Sequence, residues 1–210
     1  MNSTIGIFNY ESSNHVSLIS ALDVLPQKYL VSEDLSELSK LEKIIIPGVG
    51  NIEYFKNSHS IEDTSRKLKD YLRQGGLLYG ICLGMHLLFD FSEEANSKAL
   101  GIMPGRIVSV KEEFGINLNV GFYKLCWGSE DFDDSTINKL FKDINKDARF
   151  YFLHKYFCSL DNKNYKIINS KIENKFLPSL FANDNIVGTQ FHPELSKRDG
   201  LRFLKNFCDL

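Results

Sequence analysis

The segment Leu77-Leu78-Tyr79-Gly80-Ile81-Cys82-Leu83-Gly84-Met85 constrains the fold of this chain more than any other. Three residues of strand character run into Gly-x-Cys-x-Gly and then directly into residues of helical character. Glycines two residues to either side of a cysteine let the backbone reverse without Cβ clashes, as in a strand–nucleophile–helix elbow. Such a turn lifts Cys82 to a helix N-terminus, where free N–H groups and the helix dipole favour a thiolate over a thiol. It also demands a βα unit, and hence a sheet with a helix folded back onto it. Taken alone, the segment also describes a buried cysteine in a βα turn with incidental glycines.

The rest of the chain repeats that βα theme. Residues 4–8 read as a buried strand, and Asn14 as the cap of an amphipathic stretch reaching Val24. Residues 28–31 form a short strand, and Lys43-Ile44-Ile45-Ile46 forms another, closed by Pro47-Gly48. Residues 61–74 are predicted helical, with Leu68, Tyr71 and Leu72 on one face and Gly75-Gly76 as the stop. Residues 85–89 start a further helix. In the second half, residues 106–110, 120–125, 149–157, 165–168, 179–182 and 186–191 read as extended, the last two flanking an Asn183-Asp184-Asn185 turn. Residues 196–208 close the chain as a helix with Leu201, Leu204 and Phe207 inward. The pattern predicts an α/β fold: an open, mainly parallel sheet with helices on both faces and antiparallel additions near the end. No repeat, linker or shift in composition divides the chain, so residues 1–210 are expected to form one domain.

Charge and cysteine usage narrow the function classes. The 25 Lys+Arg against 27 Asp+Glu argue against a nucleic-acid binder. No apolar run approaches the roughly 18 residues of a membrane helix, and the start has no signal-peptide pattern. A cytoplasmic protein is expected. Cys82, Cys126, Cys158 and Cys208 form no CxxC pair, so no metal site is expected. The last three read as small buried hydrophobes. Nothing in the sequence points to an organic cofactor.

A thiolate nucleophile needs a proton carrier, and the carrier needs a group that orients it. Phe191-His192-Pro193-Glu194 provides both after the apolar strand 186–190, at the sheet edge where open α/β folds bind ligands. Pro193 restricts His192 to extended geometry, and Glu194 is placed to reach its second nitrogen and hold the tautomer. Ile46-Pro47-Gly48-Val49-Gly50 is a third element, a strand ending in a turn whose backbone N–H groups suit an oxyanion. No Gly-Lys-Ser/Thr follows, which excludes a P-loop.

In this order and spacing, the three elements resemble the class I glutamine amidotransferases, and within them the HisH-type glutaminase subunit of imidazole glycerol phosphate synthase. The likeness extends through Asn9-Tyr10, Asn119-Val120-Gly121-Phe122, Phe150-Tyr151-Phe152-Leu153-His154, Gly188-Thr189-Gln190-Phe191 and residues 200–207. It implies a flavodoxin-like glutamine amidotransferase fold. In chemistry it implies that Cys82 attacks the side-chain amide of L-glutamine, that His192 relays the proton and that Glu194 holds His192. The oxyanion and substrate would meet Gly48, Val49, Gly50, Leu83 and His86. The partner implied is a (β/α)8-barrel synthase, bound as a heterodimer, that receives ammonia for histidine biosynthesis. No synthetase domain is fused, so the ammonia acceptor is expected on another chain.

Several positions depart from the family pattern. His86 stands where the family has Gln, Phe122-Tyr123 replaces Trp-Asn, Lys155 replaces Ser, Leu195 replaces Lys, and Asn9 with Glu11 replaces Asp and Gly. Phe122, Tyr123, His154, Lys155 and Leu195 are expected near the partner interface. These changes leave open a paralogue supplying ammonia for surface-sugar amidation. Other classes are a non-catalytic regulatory subunit, and a cysteine peptidase or γ-glutamyl hydrolase on the same fold.

Overall fold

Buried side chains alternate between two faces along each central strand, and this alternation builds the molecule. The computed structural model describes residues 3–10, 15–115, 119–127, 136–160, 165–183 and 185–210. Asn14 and Asp184, expected as a helix cap and a turn residue, lie outside the described residues.

In chain order the first half contains β1 (Ile5–Phe8), α1 (His15–Asp23), β2 (Tyr29–Ser32), α2 (Leu35–Leu38), β3 (Lys43–Ile46), α3 (Ile52–Ser58), α4 (Ile61–Arg73), β4 (Leu77–Ile81) and α5 (Leu83–His86). There follow β5 (Phe89–Ser92), β6 (Ser97–Lys98), β7 (Met103–Ser109), α6 (Val110–Phe114), β8 (Asn119–Cys126), α7 (Thr136–Leu140), β9 (Arg149–His154) and β10 (Tyr156–Leu160). The chain ends with β11 (Lys166–Ile172), β12 (Lys175–Ala182), β13 (Ile186–Thr189), a 3-10 turn at Pro193–Leu195 and α8 (Lys197–Cys208).

Among the described residues the main sheet runs β2-β1-β3-β4-β13-β12-β11-β8-β9. The first five strands are parallel and the remaining four alternate antiparallel. In the parallel part, Ile5, Ile7, Ile45, Tyr79 and Ile81 face a core completed by α1, α7 and α8. Phe8, Ile44, Ile46 and Leu78 face the opposite core, with α2, α3 and α4. A period of two in the strands thus requires helices on both sides. The second sheet, β10-β7-β5-β6, adds Phe89, Met103, Ile107 and Cys158 to that second core. Parallel β3, β4 and β13 all end at the same edge, which brings their following loops together.

Three sequence expectations need correction. Residues 85–89 are not the start of a long helix: α5 ends at His86, and Phe89 opens β5. Leu87, Leu88 and Phe89 are buried throughout, and a short, wholly apolar run has no periodicity to separate helix from strand. Val110 is not extended, because the Ser109 hydroxyl accepts from Glu112 N and starts α6 there. Residues 149–157 are two strands in different sheets, β9 paired with β8 and β10 with β7. The break falls at Lys155, whose carbonyl accepts from Val110 N at 2.9 Å. The cap at Asp34 that starts α2 and the cap at Asn51 that starts α3 escaped the sequence reading.

Candidate active site

The elbow forms because β4 lies between β3 and β13, with Gly80 opposite both Ile46 and Gly188. Cys82 follows immediately, its N–H donating to Thr189 O at 2.7 Å. Its backbone sits at φ 49°, ψ −108°, a region that suits glycine and strains a side-chain-bearing residue. The flanking glycines are required by contact as much as by conformation. A Cβ on Gly84 would collide with the Ile46 carbonyl oxygen, and one on Gly48 would stand 2.6 Å from Gly84 N. The turn after β3 is therefore packed directly against the elbow. Buried Tyr10 fixes this turn by donating its hydroxyl to Pro47 O at 2.7 Å. The helix after Cys82 is shorter than the sequence suggested, a single turn, so it offers free N–H groups but little macrodipole.

His192 is carried just past the end of β13, with its N–H donating to Tyr151 O at 2.9 Å. Ser196 Oγ closes the same junction: it donates to His192 O at 2.5 Å and accepts from Tyr151 N at 2.8 Å. The imidazole Nδ1 lies 2.7 Å from Glu194 Oε1, and both side chains are almost wholly buried. Burial alone lowers the His192 pKa. The charges of Cys82 and Glu194, with hydrogen bonding to both, outweigh it and raise the pKa well above the usual histidine value. His192 Nε2 is buried, with no hydrogen bond of ordinary geometry. The sequence-predicted trio is thus brought into one cluster: a strained cysteine, an imidazole of raised pKa beside it and a carboxyl group behind.

Two further side chains reach this cluster. Gln190, fully buried, places Nε2 3.6 Å from Cys82 Sγ and Oε1 2.9 Å from His86 Nε2. Burial lowers the His86 pKa to about 4, keeping the ring neutral. Gln190 was read only as part of a family-like segment, and neither its place beside Cys82 nor its link to His86 was foreseen, because adjacency of β4 and β13 is not encoded in either segment alone.

A cavity of about 280 Å³ opens over the sulfur. Val49, Gly50, Leu83, His86 and His192 line it together with Cys82, and Gly48 lies just behind. Leu153, His154, Lys155, Tyr156 and Glu94 complete the wall. The volume is at the small end for ligand sites, near the roughly 300 Å³ lower bound, and suits a molecule of amino-acid size. Glu94 was missed by the sequence reading, since a lone glutamate in a surface-like stretch carries no signal. Burial first, then the charge of Glu53, raises its pKa to about 7, against an opposing effect of Lys155.

The residues expected at a partner interface do not share one surface. His154 is a buried wall residue, its Nδ1 2.8 Å from Tyr156 O, and burial followed by the charge of His86 lowers its pKa to about 3. Lys155 is exposed but turned to the cavity. Phe122 and Tyr123 cannot share a face, because successive strand residues point oppositely. Phe122 packs against Tyr151 beneath the Lys197 ammonium, whereas Tyr123 packs against Phe152. Leu195 is exposed, as are Val120 and Leu153, which are paired across β8 and β9. Cys158 and Cys208 are buried thiols pushed up to about 12 by desolvation, and Cys126 is half-buried.

Among the described residues no group of three or more His, Cys, Asp or Glu could hold a metal ion. No helix among them is long and apolar enough to cross a membrane.

A strained cysteine beside a buried His–Glu pair, at the carboxyl edge of a doubly wound sheet, is matched by a known family. The family description "glutamine amidotransferase class-I" fits residues 9–210, and the chain belongs to this family of glutamine-hydrolysing enzymes. Its relatives within the family include imidazole glycerol phosphate synthase subunits HisH. That of Geobacillus sp. (strain WCH70) is 32% identical, over 98% of this chain and 96% of its own. That of Methanocaldococcus jannaschii is 33% identical, over 98% and 99%. In structure, the chain is similar to the PurLQS structure from Thermotoga maritima, with a TM-score of 0.70 at 16% identity, covering 100% of this chain and 99% of that one. A crystal structure of a glutamine amidotransferase matches with a TM-score of 0.68 at 15% identity, covering 98% and 99%. These structural likenesses support the fold, including its parallel sheet core.

Proposed function

We propose that residues 1–210 act as one cytoplasmic glutaminase domain that hydrolyses L-glutamine at Cys82 and passes ammonia to a separate (β/α)8-barrel synthase. The pair forms a heterodimer that makes imidazole glycerol phosphate in histidine biosynthesis. The observation carrying the chemistry is the 2.7 Å contact between His192 and Glu194 beside the strained Cys82.

The reaction follows from these groups. The Cys82 thiolate attacks the side-chain carbonyl carbon of glutamine, and the carbonyl electrons move to an oxyanion. The backbone N–H groups of Val49 and Leu83 face that oxygen. His192, held as an imidazolium by the Cys82 and Glu194 charges, gives its Nε2 proton to the leaving nitrogen. Ammonia departs and a γ-glutamyl thioester remains. The now neutral His192 takes a proton from water, whose oxygen attacks the thioester and releases glutamate and the thiolate. No metal or organic cofactor enters these steps. In the same cavity lining, Glu94 and Lys155 offer opposite charges to the ammonium and carboxylate of an α-amino acid. Exposed Val120, Leu153 and Leu195, with Phe122 nearby, form the face on which the barrel docks.

Glutamate release from L-glutamine, measured with and without the barrel partner and its acceptor substrate, tests the proposal. Release should rise when both are present and vanish in Cys82→Ser. Release that no barrel partner stimulates would refute the assignment.

A further inference from the structure

The cavity contains one buried polar chain that the hydrolytic steps above do not use. The single turn of α5 places His86 one turn after Cys82, its N–H donating to Cys82 O at 2.9 Å. Thr189 lies opposite Ile81 in the neighbouring strand, which puts Gln190 beside the nucleophile. Gln190 is fully buried and anchored through its own N–H to Ser179 O at 2.9 Å.

A carboxamide in such a place has two orientations that fill the same space and differ by exchange of oxygen and NH2. One presents N–H donors to the sulfur, the other an oxygen that repels a thiolate. What distinguishes them is the neighbour on the other side. His86 is buried and neutral, and a neutral imidazole donates from one nitrogen and accepts at the other. When the donor is Nε2, it holds Gln190 Oε1 at 2.9 Å, and Gln190 Nε2 is left 3.6 Å from Cys82 Sγ.

We propose that His86 is a positioning residue for the nucleophile: its imidazole N–H holds the Gln190 carboxamide in the orientation that donates to the Cys82 sulfur. The inference rests on Cys82 being the nucleophile, as proposed above. His86 acts through Gln190, and no bond forms or breaks in either. A donor to a buried anion is stronger than a neutral hydrogen bond, and an unpartnered buried carboxamide is costly, so the two contacts support each other. The other charged or titratable groups around the sulfur are His192 with Glu194, Tyr10, His154, Glu94, Lys155 and Tyr156. None of them is altered in sequence when only His86 or Gln190 is changed.

The test is alkylation of Cys82 by iodoacetamide in the full chain, followed across pH by peptide mass spectrometry. His86→Leu and Gln190→Leu should each raise the pH of half-maximal rate by about one unit or more, the size of one charge-assisted hydrogen bond. The double variant should move it no further than the larger single change, since both act through one contact. His86→Gln keeps an N–H donor and should keep the profile of the unaltered chain. His86→Asn, too short to reach, should shift it. An unmoved profile in His86→Leu, or additive shifts in the double variant, would overturn the proposal. If His86→Leu does not fold, identical profiles for His86→Gln and His86→Asn overturn it equally. Alkylation needs neither glutamine nor a partner. A chain that hydrolyses no glutamine yet shows these shifts would refute the glutaminase assignment and leave the positioning role standing.

Discussion

Replacing Cys82 with glycine should leave a more stable protein than replacing it with alanine, the reverse of the usual order. Both substitutions delete the same sulfur from the same nearly buried site, so lost packing largely cancels between them. They differ in what the backbone asks of them. At φ 49°, ψ −108° a Cβ is strained, and such conformations cost about 1–3 kcal/mol. Alanine keeps that strain and glycine releases it. Glycine in turn gives the unfolded chain more freedom, which costs about 0.4–1 kcal/mol. The balance favours glycine by about 1 kcal/mol. With a urea slope of about 2 kcal/mol per molar for a chain this size, the unfolding midpoint of Cys82→Gly should lie about 0.5 M above that of Cys82→Ala. Both variants lack the proposed nucleophile, so the comparison is independent of activity. A midpoint for glycine equal to or below that for alanine would show that the elbow stores no strain at its tip.

Other consequences follow from the same geometry. Stability should fall as pH drops from about 6.5 toward 4, because burial first of all holds the folded-state pKa of His86 to about 4 and of His154 to about 3. The unfolded chain, with histidines near 6.5, takes up protons that the folded chain refuses, so stability present above that pH is lost on acidification. His86→Gln should flatten this decline by roughly 3 kcal/mol, read from urea unfolding at pH 7 and pH 4. Glu94→Gln should raise the KM for L-glutamine roughly tenfold with a smaller effect on kcat, and KM of the unaltered enzyme should fall as pH rises through about 7, where Glu94 ionises. Leu195→Asp should weaken binding to the proposed barrel partner roughly tenfold or more in calorimetric titration, without altering Cys82 alkylation.

The parts of this architecture fixed by local chemistry were legible in the sequence. Ile44-Ile45-Ile46, Leu77-Leu78-Tyr79 and residues 186–189 have the composition of central strands, and α4 and α8 have faces that only a helix satisfies. Cys82, His192 and Glu194 stood out because Gly, Pro and position at strand ends announce special backbone geometry. What stayed hidden depends on strand neighbours far apart in the chain. The order that sets β13 beside β4 puts Gln190 on the sulfur, and nothing in either strand says so. The division of residues 149–160 between two sheets was illegible for a similar reason: both sides of Lys155 have strand character, and the break is set by Val110 from another element. His154 and Lys155, expected from the sequence near a partner interface, consequently belong to the cavity wall.

That divided segment makes the protein thin where it matters. Leu153 is solvent-facing and paired with Val120, while its own carbonyl oxygen lies 3.9 Å from Cys82 Sγ, and the next residue, His154, walls the cavity. One residue of extended chain, roughly 3.3 Å, separates the outer face from the Cys82 sulfur. A body pressing on Leu153 therefore needs no long route through the core to be felt at the sulfur. Any shift it imposes on this backbone is a shift of the cavity wall itself, and a rigid contact there sets the shape of the site as directly as a change in sequence would.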